Sequence, residues 1–142
     1  MPLLLAACFA GSFGCSSGAA GEGSDVNASF PTAPLTTSQS DGAGFSVEVR
    51  TAPDQPPNHG VIAVEYRVTG PDGAPADGLA LSVVPWMPEM QHGASLTPVV
   101  TAKGSGRYVL TNVEVFMAGT WELRTAIAGP SEDSVAPALS VQ

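Results

Sequence analysis

Positive charge is scarce in this chain. Lysine and arginine together number 5 against 13 aspartates and glutamates, the net charge is −8, and the first basic residue is Arg50. A protein that binds nucleic acid needs a cluster of cationic side chains to neutralise phosphates. The same shortage removes the attraction to an anionic bilayer surface. We therefore predict no nucleic-acid partner, and any membrane association has to come from a lipid anchor.

Cysteine is also nearly absent, and catalytic motifs are missing. Cys8 and Cys15 are the only cysteines, so the rest of the chain has no disulfide framework, no cysteine nucleophile and no cysteine metal site. No serine lies in an elbow motif. Five glutamates fall mostly at polar strand positions and are interpreted as solvent-facing, although folding could still pair two of them: Glu48, Glu65, Glu89, Glu114 and Glu122. We therefore expect a protein that is not an enzyme.

No long hydrophobic run is present, and the apolar stretch at residues 3–10 is too short to span a bilayer. It predicts an export signal with a lipobox over residues 1–15, although the usual positive charge at the start is missing, so translation could begin upstream. Leu5-Ala6-Ala7-Cys8 resembles the bacterial lipobox, and Cys15 is the alternative lipidation site. Either cysteine would place the protein outside the cytoplasm, in the cell envelope or periplasm, as a lipoprotein.

The remainder divides into a predicted spacer and a predicted domain. Residues 16–44 are rich in Ser, Gly, Ala, Thr and Pro and have few large apolar side chains, which predicts a flexible linker. Residues 45–142 change to short apolar segments separated by turns. Strict alternation at residues 45–50, 62–68 and 121–127 predicts strands with one buried face. Further strands are predicted at residues 79–84, 97–102, 107–110, 113–116 and 135–141.

This pattern has no helical periodicity and predicts an all-β domain. About seven short strands with Gly, Pro and Asp turns are typical of an immunoglobulin-like antiparallel β-sandwich. A small open barrel is the alternative. The alternation at the last well-defined strand also predicts that Trp121, Leu123 and Ile127 lie in the core.

One stretch, residues 86–93, concentrates coordinating side chains. It contains Met87, Met90 and His92 behind Trp86. Thioethers and neutral imidazoles favour copper, especially Cu(I), over the hard cations. Because prolines flank the Trp86-Met87 pair, we predict an irregular extended loop in which Met90 and His92 point to the same side.

Met87, Met117 and Trp86 complete the predicted site. Met87 would join Met90 and His92 if the chain turned at Pro88, and Met117 is a candidate ligand distant in sequence. Trp86 is a candidate cover that excludes water and offers a π face. The alternative is that these methionines and the tryptophan only fill the core. His59, in a proline-rich loop, is interpreted as a turn residue.

Three motifs in order resemble the YtkA-like domains, which are grouped with FixH-like proteins. They are Met87-Pro88-x-Met90-x-His92-Gly93 after a strand, Gly106-x-Tyr108 opening a strand, and Met117-Ala118-Gly119-x-Trp121 opening the next. The resemblance covers residues 45–128. It implies a small extracytoplasmic β-sandwich associated with copper handling, oxidase assembly or heavy-metal efflux. It also implies copper as the ligand and Met87, Met90, His92 and Met117 as the positions that bind it.

Two functions follow as expectations. The first is a tethered copper-binding or copper-transfer module with an envelope protein as its copper acceptor. The second is a β-sandwich adaptor without a metal, which would bind another envelope protein through Trp86, Met87 and Met90. The first requires His92, whereas the second requires Trp86.

Overall fold

The computed structural model describes residues 29–142. The predicted signal, both cysteines and the first part of the predicted linker lie outside the described residues. The described part contains ten strands and no helix: β1 Thr36–Gln39, β2 Ser46–Ala52, β3 Gly60–Thr69, β4 Ala80–Met87, β5 His92–Gly93, β6 Val99–Gly104, β7 Arg107–Val115, β8 Gly119–Ala128, β9 Asp133–Val135 and β10 Ala138–Val141.

The strands form two antiparallel sheets. The first sheet has the order β1-β2-β3-β7-β6, and the second has the order β10-β8-β4-β5, with β9 also paired to β8. The predicted antiparallel β-sandwich is confirmed, with ten strands where about seven were expected. Over residues 29–142, no helix is present that is long and apolar enough to cross a bilayer.

The core lies between the inner faces of the two sheets. Trp121, Leu123 and Ile127 are buried, as the alternating pattern predicts. Tyr66 of the first sheet donates a hydrogen bond across the core to Thr125 of the second, at 2.9 Å, and Thr125 donates onward to the Leu123 carbonyl. Burial raises the pKa of the Tyr66 hydroxyl well above its ordinary value. The two sheets are therefore joined by a polar contact within an apolar interior.

The linker prediction extends too far along the chain. Residues 36–39 form β1, which pairs with β2, and Ser40 at its end is buried. β1 consists of Thr, Ser and Gln, so it contributes little apolar burial and is held mainly by ladder hydrogen bonds. A polar edge strand of this kind has the composition of a linker, which is why the sequence pattern missed it.

The strand predicted at residues 79–84 ends too early, because the prolines that follow indicate the start of a loop. The predicted strand at residues 79–84 continues to Met87, so Pro85 and Trp86 lie in β4 and not in an irregular loop. β4 has β8 on one side, and on the other side β5 pairs only with its last two residues, Trp86 and Met87. Most of β4 is therefore an edge, where a proline is tolerated.

Two other strand boundaries differ from the predictions. The segments predicted at residues 107–110 and 113–116 form one strand, β7, with a bulge at Asn112, whose φ is 56°. The register partner changes there from Leu110 to Val113 while β3 advances by only two residues. At the C-terminal end, the segment predicted at residues 135–141 is divided by Pro137 into β9 and β10, which pair with different parts of β8.

Glu65 is buried on the outer face of the first sheet, where the sequence pattern predicted a solvent-facing carboxylate. Arg107 donates to it at 2.6 and 3.0 Å, and Arg67 donates at 2.9 Å. The buried Arg50 lies 4.0 Å from the same carboxylate and donates to the Thr32 carbonyl. The three arginine side chains exclude water from Glu65 and satisfy its charge.

Asp133 fastens the loop between β1 and β2 to β9, and this contact is expected to be pH-sensitive. Ser40 and the Gly42 amide donate to its carboxylate, which holds the pKa of Asp133 below its ordinary value. Because the folded-state pKa is the lower one, the stabilisation is present above the unfolded-state value of about 3.9 and is lost as pH falls through the folded-state pKa. Urea unfolding of wild type and Asp133→Asn between pH 6 and 2 should show a shallower acid slope in the variant. Equal slopes would contradict the assignment.

Candidate functional site

Both histidines of the chain and all methionines of the described part lie at one end of the sandwich. At this end β4 turns into β5, β7 passes into β8, and the β2–β3 loop lies beside Gly60, whose register partner is Val115. We call it the site end.

A hairpin turn brings Met87 and His92 together. Residues 88–91 form the turn between β4 and β5, closed by a hydrogen bond from the Gln91 amide to the Pro88 carbonyl at 3.3 Å. Met87 and His92 are register partners across this hairpin, and directly opposed residues of an antiparallel pair project from the same face. The chain therefore turns at Pro88, the condition under which Met87 joins His92. Met90 lies in the turn itself, so it does not occupy the extended position beside His92 that was predicted.

The His92 ring lies against two aromatic rings. It stacks on Phe116 with ring centroids 5.1 Å apart and an interplanar angle of 20°, and its centroid lies 6.0 Å from that of Trp121. Phe116 and Trp121 meet edge to face at 5.3 Å. The Nδ1 atom of His92 is buried and has no hydrogen-bond partner among residues 29–142. A buried polar atom without a partner is costly, so this nitrogen marks a position where a ligand would be stabilised.

The three methionines of the described part divide into one buried and two exposed side chains. Met87 is only 3% exposed, and a Cβ atom added at Gly119 would lie 2.5 Å from its methyl group. Gly119 therefore leaves room for the Met87 thioether. Met90 and Met117 are 54% and 37% exposed. The predicted ligands thus form an inner pair, Met87 and His92, and an outer pair, Met90 and Met117.

Trp86 does not lie on the side of the inner pair. Successive strand residues project to opposite faces, and Trp86 lies on the outer face of the second sheet. There the Arg124 guanidinium lies 4.7 Å from its ring centroid and also pairs with Glu122 at 3.1 Å. The aromatic side chains that do cover His92 are Phe116 and Trp121. The predicted role of Trp86 as a site cover therefore has no support in this geometry.

Trp121 and Met117 are linked through the backbone. The Trp121 indole Nε1 donates to the Met117 carbonyl oxygen at 2.9 Å. This hydrogen bond orients the β7–β8 connection, which also carries Phe116. The buried Trp121 therefore fixes the position of the Phe116 ring, on which His92 stacks.

Glu114 holds the loop that follows His92, a role that the sequence pattern missed. One oxygen of its carboxylate accepts hydrogen bonds from the Ser95 and Leu96 amides, at 2.7 and 3.0 Å. Glu114 is also two residues before Phe116, which directly follows β7. The end of β7 therefore supplies both the stacking ring for His92 and the acceptor that ties down the chain after it. A glutamate at a polar strand position carries no local signal of such a contact.

Replacing Glu114 with alanine is expected to loosen His92 with a modest loss of stability. The two amide hydrogen bonds would be lost, at a cost of about 1 kcal/mol, and the ring protons of His92 should move downfield as stacking on Phe116 weakens. Glu114→Gln keeps an oxygen that can accept both amides and should stay near wild type. NMR of the metal-free protein measures these shifts, with Glu122→Ala as the control on the outer face. Unchanged His92 resonances in Glu114→Ala would refute the assignment.

His59 also lies at the site end but is held differently. Its ring Nδ1 lies 3.0 Å from the main-chain oxygen of Gln142, which can only accept, so Nδ1 carries the proton. The His59 side chain is exposed. This contact fits a loop residue and supplies a matched histidine for comparison with His92.

The donor set at the site end is soft. Within the described part of the chain, no group of three or more His, Cys, Asp and Glu side chains could hold a metal ion. Thioether sulfurs and an imidazole nitrogen fit Cu(I) in the chemistry of their donors.

The fold and this site define a small antiparallel β-sandwich with a methionine–histidine cluster at one end. A model of the YtkA-like family matches residues 39–126. The chain belongs to the YtkA-like family. Comparisons with curated proteins and with solved structures give no match. The resemblance to YtkA-like domains is thus confirmed, whereas the link to FixH-like proteins stays a prediction.

Proposed function

We propose that this protein is a copper-binding or copper-transfer module, not an enzyme, with Cu(I) as its cargo. The observation that supports this most directly is the buried, unpartnered Nδ1 atom of His92, whose register partner across the hairpin is the buried Met87. An imidazole nitrogen and a thioether sulfur are soft or borderline donors and match Cu(I) better than hard cations. Both side chains are positioned by the fold, which limits the entropy lost when they bind an ion.

The inner and outer pairs have different roles in this proposal. Met87 and His92 are fixed by the β4–β5 hairpin and by the rings of Phe116 and Trp121. Met90 and Met117 are exposed and remain accessible to another protein. An inner pair with an incomplete ligand shell would hold the ion loosely enough to release it to an acceptor.

The cellular setting is part of the proposal. We infer export by the signal in residues 1–15 and lipid attachment through Cys8 or Cys15, which places the module in the cell envelope. Membrane attachment would come from the lipid alone. The partner would be an envelope protein that receives copper, such as a component of oxidase assembly or of metal efflux. YtkA-like membership supports this setting.

A Cu(I) titration of the purified protein against a chromophoric chelator tests the proposal. Wild type should bind one Cu(I) per chain. His92→Ala and Met87→Leu should each weaken Cu(I) binding by at least about 100-fold. Loss of a residue that only orients a metal ligand costs up to about 100-fold, and loss of a ligand itself should cost at least as much. Leucine is chosen at position 87 because it conserves the volume of the core. Met90→Leu and Met117→Leu should have smaller effects.

His59→Ala is the matched control, because it removes the other histidine at the same end. Its affinity should equal that of wild type. Circular dichroism shows whether each variant is folded. A folded wild type that fails to compete with the chelator, or a His92→Ala variant that binds as well as His59→Ala, would exclude the proposed site.

A further inference from the structure

Exposed apolar side chains are concentrated at the site end. Seven large hydrophobic residues among residues 29–142 are exposed, and five of them lie at this end: Val61, Met90, Leu96, Phe116 and Met117. Val61 adjoins Gly60, and Leu96 belongs to the loop that follows His92. We call these five residues the site-end patch. A sixth, Val99, is the first residue of β6, three residues after Leu96, and pairs with Thr111 in the middle of β7. The seventh, Val84, lies in the middle of β4 on the outer face of the second sheet.

The charges around the patch are mainly negative. All five lysines and arginines of the chain lie within residues 29–142, and Arg124, whose guanidinium lies over Trp86, is already paired with Glu122 on the outer face of the second sheet. Lys103 and Arg107 lie at the opposite end beside the β6–β7 turn, and Arg67 is the register partner of Arg107. Arg50 is buried. The carboxylates at the site end are Asp54, Glu89 and Glu114.

We propose that the site-end patch is a docking surface for a protein whose contact face is apolar and ringed by lysine or arginine. An exposed cluster of apolar side chains with a polar rim is typical of an interaction site. The acidic rim selects a basic partner, because opposite charges speed encounter and like charges disfavour wrong partners. A second copy would place acidic rims together, and an anionic bilayer would be repelled.

This surface is defined by exposure and charge, so it stands whether or not the inner pair binds copper. It does not contain Trp86, so it differs from the surface expected for an adaptor. It does contain Met90 and Met117, the outer pair. A partner seated on the patch would therefore lie directly over the inner pair.

NMR titration of ¹⁵N-labelled metal-free protein with two synthetic peptides tests the surface. The first peptide is an amphipathic helix of leucine and lysine, and the second has glutamate in place of every lysine. We expect the leucine–lysine peptide to shift amides of the site-end patch and the leucine–glutamate peptide to shift none. Leu96→Ser combined with Val61→Ser should weaken binding by at least about tenfold, and Glu89→Lys should also weaken it.

Val84→Ser is the matched control, because it removes an equally exposed apolar side chain away from the patch. Its binding should equal that of wild type. Shifts at another surface, equal binding of both peptides, or no binding would overturn the proposal. Size-exclusion chromatography with light scattering and flotation with phosphatidylglycerol vesicles test the other occupants. Dimerisation or vesicle binding that is lost in Leu96→Ser/Val61→Ser would also overturn it.

Discussion

Replacement of Glu65 with alanine is expected to lower the free energy of unfolding by about 3–5 kcal/mol. Glu65 is fully buried and accepts hydrogen bonds from Arg67 and Arg107. Its carboxylate also lies 4.0 Å from the Nη1 atom of buried Arg50, which has no hydrogen-bond partner within residues 29–142. Removing Glu65 would leave that guanidinium with less compensation in a site that water does not reach, and this is the source of the large effect.

Urea unfolding at pH 7 measures the change. Glu48→Ala is the control, because Glu48 pairs with Arg50 at 3.0 Å but its own side chain is 42% exposed. Water can reach the Glu48 carboxylate, and Arg50 keeps its hydrogen bonds to the Thr32 carbonyl without it, so this variant should lose no more than about 1 kcal/mol. If Glu65→Ala lost as little as Glu48→Ala, the arginines would not depend on the buried carboxylate.

Trp121→Ala is expected to destabilise the protein by a similar amount, about 3–5 kcal/mol, and to disrupt the candidate site as well. The indole is fully buried, meets Phe116 edge to face and donates to the Met117 carbonyl. Its removal would leave a cavity beneath Phe116 and free the β7–β8 connection. One aromatic neighbour of His92, Trp121, would then be absent, and the other, Phe116, would no longer be held in place.

Trp86→Ala is the matched tryptophan control. Trp86 is half-buried on the outer face of the second sheet, so its loss should cost about 1 kcal/mol and leave the His92 resonances in place. Trp121→Phe fills most of the cavity and should recover part of the stability. Thermal unfolding and NMR of the metal-free variants measure both effects. A Trp121→Ala variant with native stability and an unchanged His92 spectrum would contradict this account.

Strands with clean alternation were predictable from the sequence. β2, β3 and β8 follow the predicted segments closely because a buried inner face imposes a period of two. β1 was not predictable, because its stability comes from pairing with β2 and not from apolar side chains. The continuation of β4 through Pro85 was also hidden, since the effect of a proline depends on whether the strand is at an edge.

The candidate site was predictable as a set of residues but not as a geometry. The composition of residues 86–93 identifies the side chains, and the turn at Pro88 brings Met87 opposite His92. The orientation of Trp86 follows from the alternation of side chains along β4, and a prediction that residue 86 lies in a loop gives no such alternation. Glu114 contacts amides 18 and 19 residues away in the chain. Contacts of this kind depend on the packing of two sheets and leave no local pattern.

The inner pair depends on both sheets, which has a consequence for proteolysis. Met87 and His92 belong to the second sheet, whereas Phe116 and Glu114 extend from β7 of the first. An ion that binds only this assembled arrangement binds the folded chain and not the unfolded one. At a free concentration of 100 times Kd it would stabilise the whole fold by about 2.7 kcal/mol. The unfolded population open to proteases would fall by about the same hundredfold. Delivery of the ion would return the protein to its more degradable state, so the lifetime of each molecule would depend on its cargo.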